Sequence, residues 1–228
     1  MSVSTVQEKQ APYGIRVAPS AEQRVTLHGV SWETFEALMR ETGESCKCRV
    51  AYDDGELEIM APHFEHESYT HYFEHLIVVL AREYGLRCKP GGAFLCKRGD
   101  LKKGIQSDCC FYLKSAKRIH GRKELDMSID PPPDLMVEID LSTDSLTKLH
   151  ICAALGVPEH WRFDGTELQI RILKERRYEL AEESLAFPGL NIRSEIFRFI
   201  QLGVDEDLAV MQDAFRDWIR QERKSKRK

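Results

Sequence analysis

The sequence predicts an α/β fold, a mixed central sheet flanked by helices, and three observations carry that expectation. First, after Pro131-Pro132-Pro133 the residues Leu135, Val137, Ile139 and Leu141 alternate with Asp134, Met136, Glu138 and Asp140. That period of two marks a strand, and a helical stretch and a second apolar run, Trp161-Arg162-Phe163, follow it. Second, residues 65–84 repeat Tyr69, Tyr72, Phe73, Leu76, Ile77, Leu80 and Tyr84 in the i, i+3, i+4 rhythm of an amphipathic helix. Third, short apolar runs near residues 50, 59, 94 and 108 have strand length. The expected sheet holds strands near 50, 59, 94, 108, 137 and 161, with helices over 67–84 and 143–155 on its faces.

In order, residues 1–20 are polar, lack sustained periodicity and form an expected loose arm. Ser31 is placed to cap a short helix carrying Trp32, Phe35, Leu38 and Met39 and ending near Gly43. Arg49-Val50-Ala51-Tyr52, the turn Asp53-Asp54-Gly55 and Leu57-Glu58-Ile59-Met60 make a hairpin with an Asp-Gly turn. His63, His66, His71 and His75 crowd the start of the long helix, but His71 and His75 fall off its apolar stripe, which makes them surface histidines. After Gly91-Gly92 comes a short strand from Ala93 to Cys96, then a basic loop. Ile105 to Leu113 reads as one strand, with Ile105, Cys109, Phe111 and Leu113 on one face and Gln106, Asp108, Cys110 and Tyr112 on the other. An aspartate in so apolar a strand is costly unless a metal or a nearby Lys or Arg pairs with it.

Alternation puts Glu138 and Asp140 side by side on one face of the strand, away from the packed one, where solvation is the ordinary outcome. Thr143 or Ser142 caps the next helix, Asp144 lies in its first turn, and Leu146, Leu149 and Ala153 form its apolar face, with Gly156 closing it. Lys148 therefore sits behind the two acids. Leu168, Ile170, Ile172, Tyr178 and Leu180 suggest an outer hairpin around Glu175-Arg176-Arg177. A final helix, residues 205–220, shows Leu208, Met211, Phe215, Trp218 and Ile219 on one face, for the core or for a second copy in a homodimer.

A length of 228 residues with 42% hydrophobic and 31% charged composition suits one sizeable domain, expected over 21–222 with a basic tail at 223–228. The longest apolar run, Leu76 to Ala81, cannot span a bilayer, so no membrane partner and a cytoplasmic location are expected. Seven cysteines, among them Cys46-Lys47-Cys48 and Cys109-Cys110, are spaced for reduced thiols rather than for a disulfide framework or zinc. The net charge of −4 excludes a protein that coats nucleic acid indiscriminately. Yet residues 97–123 hold nine Lys or Arg against two Asp, a stripe suited to a phosphate backbone. Lys97, Arg98, Lys102 and Lys103 before Asp108, and Lys114, Lys117 and Arg118 after it, are the candidate nucleic-acid contacts.

The segments YDDGELEIMAPHFEHE, GGAFLCKRGDLKKGIQSDCCFYL, PPPDLMVEIDLST, KLHICAALGVPEHWRFDG and LAFPGL resemble, in spelling and in order, the Uma-type restriction-endonuclease family of the PD-(D/E)XK superfamily. The resemblance spans roughly residues 24 to 200. It implies a restriction-endonuclease-like core and a metal-dependent endonuclease that hydrolyses DNA, with Mg²⁺ or Mn²⁺ as cofactor. Asp108 matches the first acid of the motif and Glu138 the second. Lys148 lies where this family carries its lysine on a helix, and Glu67 matches a supporting acid. The metal would be held by Asp108, Glu138 and the carbonyl of Ile139. The chain also departs from the pattern: Gln106 and Cys109 stand near expected acids, Asp140 occupies the usual lysine position, and Cys152 replaces an aromatic residue. Those departures support the alternative, a catalytically impaired protein of the same fold that serves as a nucleic-acid or protein interaction module.

Overall fold

In the computed structural model the described residues are 23–42, 48–141 and 146–226. The expected arm at 1–20, the helix end at Gly43, Cys46 and Lys47, the cap at Ser142 or Thr143 and the first-turn Asp144 lie outside them. The chain forms two sheets, not the single six-stranded sheet expected. Strands β1 (Gln23–His28), β2 (Arg49–Asp53), β3 (Glu56–Ala61), β5 (Leu95–Arg98) and β6 (Lys103–Gln106) make an antiparallel sheet ordered β1-β3-β2-β6-β5. Strands β4 (Lys89–Gly92), β7 (Cys109–Tyr112), β8 (Leu135–Ile139), β9 (Glu159–Phe163), β10 (Leu168–Lys174) and β11 (Arg177–Ala181) make a mixed sheet ordered β11-β10-β9-β8-β7-β4. Its parallel pair is β8 with β9, joined through the helix α3 (Leu146–Leu155) as a strand-helix-strand crossover.

The division falls inside the run read as one strand. Residues Ser107 and Asp108 separate β6 from β7, so the chain leaves one sheet and enters the other at the aspartate. The expected face pattern breaks there too. Ile105 packs in the same cluster as Cys110, while Cys109, Phe111 and Leu113 belong to the larger core. Asp108 ends the β7–β8 ladder with its side chain. Cys109 is opposite Val137, and Asp108 Oδ2 accepts the N–H of Ile139 at 2.7 Å, beyond the last backbone pair.

Helix α2 (Phe64–Glu83) covers one face of the mixed sheet with α4 (Ile192–Asp205) and α5 (Leu208–Ser225). Phe73, Leu76, Ile77 and Leu80 are fully buried there, each contributing about 1.5–3 kcal/mol by leaving water. The α4 helix had no counterpart in the sequence expectations, although Ile192, Ile196, Phe199 and Ile200 have helical spacing and are buried. Its Gly203 lets α4 approach α2 and α5, since an added Cβ would meet Met211 Sδ and Tyr72 Cε1 at 2.9 Å. The apolar face of α5, Met211, Phe215, Trp218 and Ile219, is buried inside the chain. Asp207 caps α5 by accepting from the N–H groups of Ala209 and Val210, so the helix begins later than expected, and it runs to Ser225.

Helix α1 (Trp32–Thr42) is capped by Ser31, as expected, with Oγ accepting from Thr34 N at 3.1 Å. It lays Phe35 against Tyr52 of the first sheet at 4.6 Å between ring centroids. The β2–β3 turn has positive φ at Asp54 (40°) and Gly55 (105°), the backbone that an Asp-Gly pair supplies in a two-residue hairpin. Helix α3 packs on the mixed sheet and also against β2, β5 and β6, so it lies between the two sheets. Its buried residues are Lys148, Ile151, Cys152, Ala153 and Leu155, so of the expected stripe Ala153 is buried and Leu149 half-buried, while Ile151, Cys152 and Leu155 add a covered face that the stripe did not include. No helix among the described residues is long and apolar enough to cross a membrane.

Candidate active site

Three segments converge where α3 meets the junction of the sheets. Asp108 comes from the break between β6 and β7, Glu138 from β8 and Lys148 from α3. Glu138 and Asp140 were expected on a solvated face. They are 1% and 3% exposed, because α3 covers that face of β8 while Val137 and Ile139 fill the core on the other. A strand buried on both faces can carry acids only if cations reach them. Lys148 Nζ donates to Glu138 Oε2 at 2.8 Å, and Arg162 of β9 donates to Asp140 Oδ2 through Nε at 2.9 Å.

Asp108 is held from the other side. Arg49 Nε of β2 donates to its Oδ1 at 3.1 Å, Ile139 N to its Oδ2 at 2.7 Å, and His66 Nε2 of α2 lies 3.3 Å from Oδ2. Arg49 also donates through Nη2 to Glu67 Oε1 at 2.8 Å, which brings Glu67 to the rim of the cluster through the guanidinium. Arg49 and His66 had no site role in the sequence expectations. His66 is fully buried, and it stands in phase with Tyr69, Thr70, Phe73 and Ile77 on the covered face of α2. The helical stripe extended back by one turn would have found it. Arg49 gives no comparable local signal. His71 is exposed beside Glu74, and His75 meets Gln212 Nε2 at 3.0 Å.

The charges set one another. Burial raises the carboxyl of Asp108, but the hydrogen bond from His66, the charges of Lys148 and His66, and the Ile139 N–H outweigh it and leave the pKa lowered. Glu138 goes the other way: burial, aided by the charge of Asp108, lifts it to about 7 against the pull of Lys148. Burial by itself would lower Lys148, but Glu138 and Asp108 raise it, so the ammonium stays charged. The buried thiols Cys96, Cys109 and Cys152 are pushed well up by burial and are poor nucleophiles.

The donor set suits a hard cation. Glu138 Oε1 is buried with no hydrogen-bond partner among the described residues, an acceptor left open beside the Asp108 carboxylate. No group of three or more His, Cys, Asp or Glu among the described residues is arranged to hold a metal. A magnesium ion in general needs only one or two carboxylates and completes its shell with water and phosphate. On the Asp108 side Arg49 already holds Oδ1, so a cation shared by the two acids meets a guanidinium in residence.

The expected nucleic-acid contacts are dispersed. Lys97 pairs with Glu36, Arg98 with Asp100, Lys102 with Asp54 and Lys103 with Asp53, all on the first sheet or its turns. Lys114 Nζ donates to the carbonyl of Leu185 at 3.1 Å, and Lys117 and Arg118 lie at the 3-10 turn after β7.

His160 on β9 is 2% exposed, and neither ring nitrogen has a partner among the described residues. Burial lowers its pKa to about 3, helped by Arg171 of β10, Lys148 of α3 and Arg162 of its own strand and opposed by Asp108, while the Tyr178 ring of β11 lies at 5.7 Å. Because the folded pKa is below the unfolded one, near 6.5, the neutral ring contributes stability that is present above pH 6.5 and lost as the pH falls towards 3. His160→Phe is expected to flatten the fall of the urea midpoint between pH 6.5 and 4, where the wild-type slope from this group approaches about 1.4 kcal/mol per pH unit. An unchanged slope in the variant would show that the ring takes up its proton within the fold.

Comparison with known proteins gives a family match and a likeness to solved structures. The family model described as "Uma2: Putative restriction endonuclease" matches residues 32–204. Among solved structures, a chain from Anabaena variabilis ATCC 29413, described as a putative nuclease belonging to DUF820, is 18% identical with a TM-score of 0.45 over 72% of this chain and 90% of that one. No curated protein matches.

Proposed function

Because the chain belongs to the Uma2 putative restriction endonuclease family, we propose that it is a metal-dependent endonuclease hydrolysing DNA phosphodiester bonds at Asp108, Glu138 and Lys148. The observation that carries this reading is the open, buried Glu138 Oε1 beside a second carboxylate, with Lys148 on the same acid. Glu138 and Asp108 would hold Mg²⁺ or Mn²⁺, with the carbonyl of Ile139 as the third ligand. When bound, such a metal supplies Lewis-acid polarisation of the phosphate and a more acidic water.

The chain's own groups do the rest. Lys148 keeps its proton and lowers the pKa of Glu138, so it favours the ionised acid that a cation needs. The same ammonium places a positive charge where negative charge grows on the phosphate oxygens, and it orients the attacking water. Ile139 N and Arg49 fix the Asp108 carboxylate from two directions, which limits its freedom before any ligand arrives. Asp140, in the usual lysine position, is paired with Arg162 and balances charge on the neighbouring strand.

A second reading, an interaction module without chemistry, draws support from Arg49 and Ile139 N, which already occupy the Asp108 oxygens. One experiment separates the two. Supercoiled DNA is incubated with the wild type, Asp108→Asn and Glu138→Gln in Mg²⁺ or Mn²⁺, and Mn²⁺ binding to each is measured by calorimetry. We expect cleavage and Mn²⁺ binding in the wild type and loss of both in each variant. Cleavage by the variants at the wild-type rate would remove the assignment, and a wild type that neither cuts DNA nor binds Mn²⁺ would favour the module.

A further inference from the structure

The α3-facing side of the mixed sheet continues laterally from Glu138 as a row of cations. Arg162 is opposite Glu138 across the β8–β9 pair, and on the next row Arg171 of β10 is opposite His160 of β9, with both side chains on the face of Glu138. Arg162 is spent on Asp140. Arg171 has no carboxylate partner among the described residues: Nη2 donates to the neutral Gln169 Oε1 at 2.6 Å, and Nη1 is buried without any partner. His160 beside it is likewise buried with both nitrogens unpartnered. Two adjacent side chains thus hold unused donors in a place where unused donors are costly, and such groups call for a ligand or ion.

We propose that Arg171 and His160 form a subsite for a phosphate group, filled by a backbone phosphodiester of the nucleic acid that flanks the one at the carboxylates. A phosphate offers several acceptor oxygens and a full negative charge, so one group can take the free Arg171 N–H and a His160 N–H together. It would also relieve the repulsion between Arg162 and Arg171, for which Asp140 is the paired carboxylate. Strands about 4.8 Å apart put β10 roughly 10 Å from β8. That is about three nucleotide steps at about 3.4 Å of helix axis each, close enough for one strand of nucleic acid to touch both places. The neutral imidazole is suited to this role, since it donates without adding a third charge to the row. The inference rests on the nuclease reading for the identity of the phosphate, but its geometry lies outside the carboxylate cluster.

The test uses the full chain and a short fluorescent DNA duplex in EDTA, where no cleavage occurs, with binding followed by anisotropy over a salt series. Arg171→Gln is expected to weaken binding by about tenfold, the worth of one hydrogen bond to a charged group. It should also reduce the slope of log affinity against log salt by about 0.9, one phosphate contact. Arg171→Lys should keep the slope, and Mn²⁺ affinity should stay at the wild-type value in both variants. A wild type that binds Mn²⁺ and DNA while Arg171→Gln matches it in affinity and slope overturns this inference and leaves the nuclease reading standing. Inorganic phosphate is titrated in parallel: phosphate binding that depends on Arg171, without DNA binding, overturns the assignment to nucleic acid.

Discussion

Asp108→Ala is expected to abolish cleavage and also to destabilise the fold by about 3–5 kcal/mol, the cost of removing one partner from a buried ion pair. The side chain of Asp108 is fully buried, and it takes hydrogen bonds from Arg49 Nε and Ile139 N with His66 close by. Alanine would leave the Arg49 guanidinium, 9% exposed, with Glu67 as the remaining one of its two carboxylates and would strand the N–H of Ile139 at the end of the β7–β8 ladder. The loss would reach both sheets, because Arg49 belongs to one and Ile139 to the other. Asp108→Asn keeps an acceptor oxygen for one of these donors, so it should lose cleavage at a smaller cost in stability. Urea unfolding of the two variants, beside Mg²⁺-dependent cleavage, separates the contributions. An alanine variant as stable as the wild type would mean that Arg49 and His66 find other partners and that the aspartate does not tie the sheets.

Lys148→Met is expected to be inactive and less stable by a similar amount, and the reason lies in Glu138. Its carboxyl is already pushed up to about 7 by burial, with Lys148 the main influence holding it down. Without the ammonium, Glu138 should be neutral at pH 7, which removes the charge a divalent cation needs. Adding Glu138→Gln to Lys148→Met should recover part of the stability, since the amide needs no counter-charge, but none of the cleavage. The coupling between the two sites should reach about 3 kcal/mol, the upper range for residues in direct contact. Additive losses of stability would show that the 2.8 Å contact contributes little net and that Lys148 acts on a ligand alone.

Much of this architecture was legible locally. The alternation in β8, the Asp-Gly turn of the first hairpin, the outer hairpin and the stripe of α2 follow from the period of apolar residues and from turn chemistry, which depend on near neighbours only. Asp108, Glu138 and Lys148 were singled out for a different reason, a resemblance of sequence segments to a family pattern, and in the structure Lys148 donates to Glu138, with the charge of Asp108 acting on that acid.

What the sequence by itself determined, then, is the element type at most positions. The tertiary structure alone decided that the run 105–113 splits between two sheets, that the acids on β8 are buried by α3, and that Arg49, His66 and Arg162 stand around the acids of the site. The physical reason is that periodicity reports which face of an element is apolar, not which element will cover it. Arg49 lies 59 residues from Asp108, and a pairing over that distance is selected by packing of whole sheets, which leaves no repeat in the chain to read.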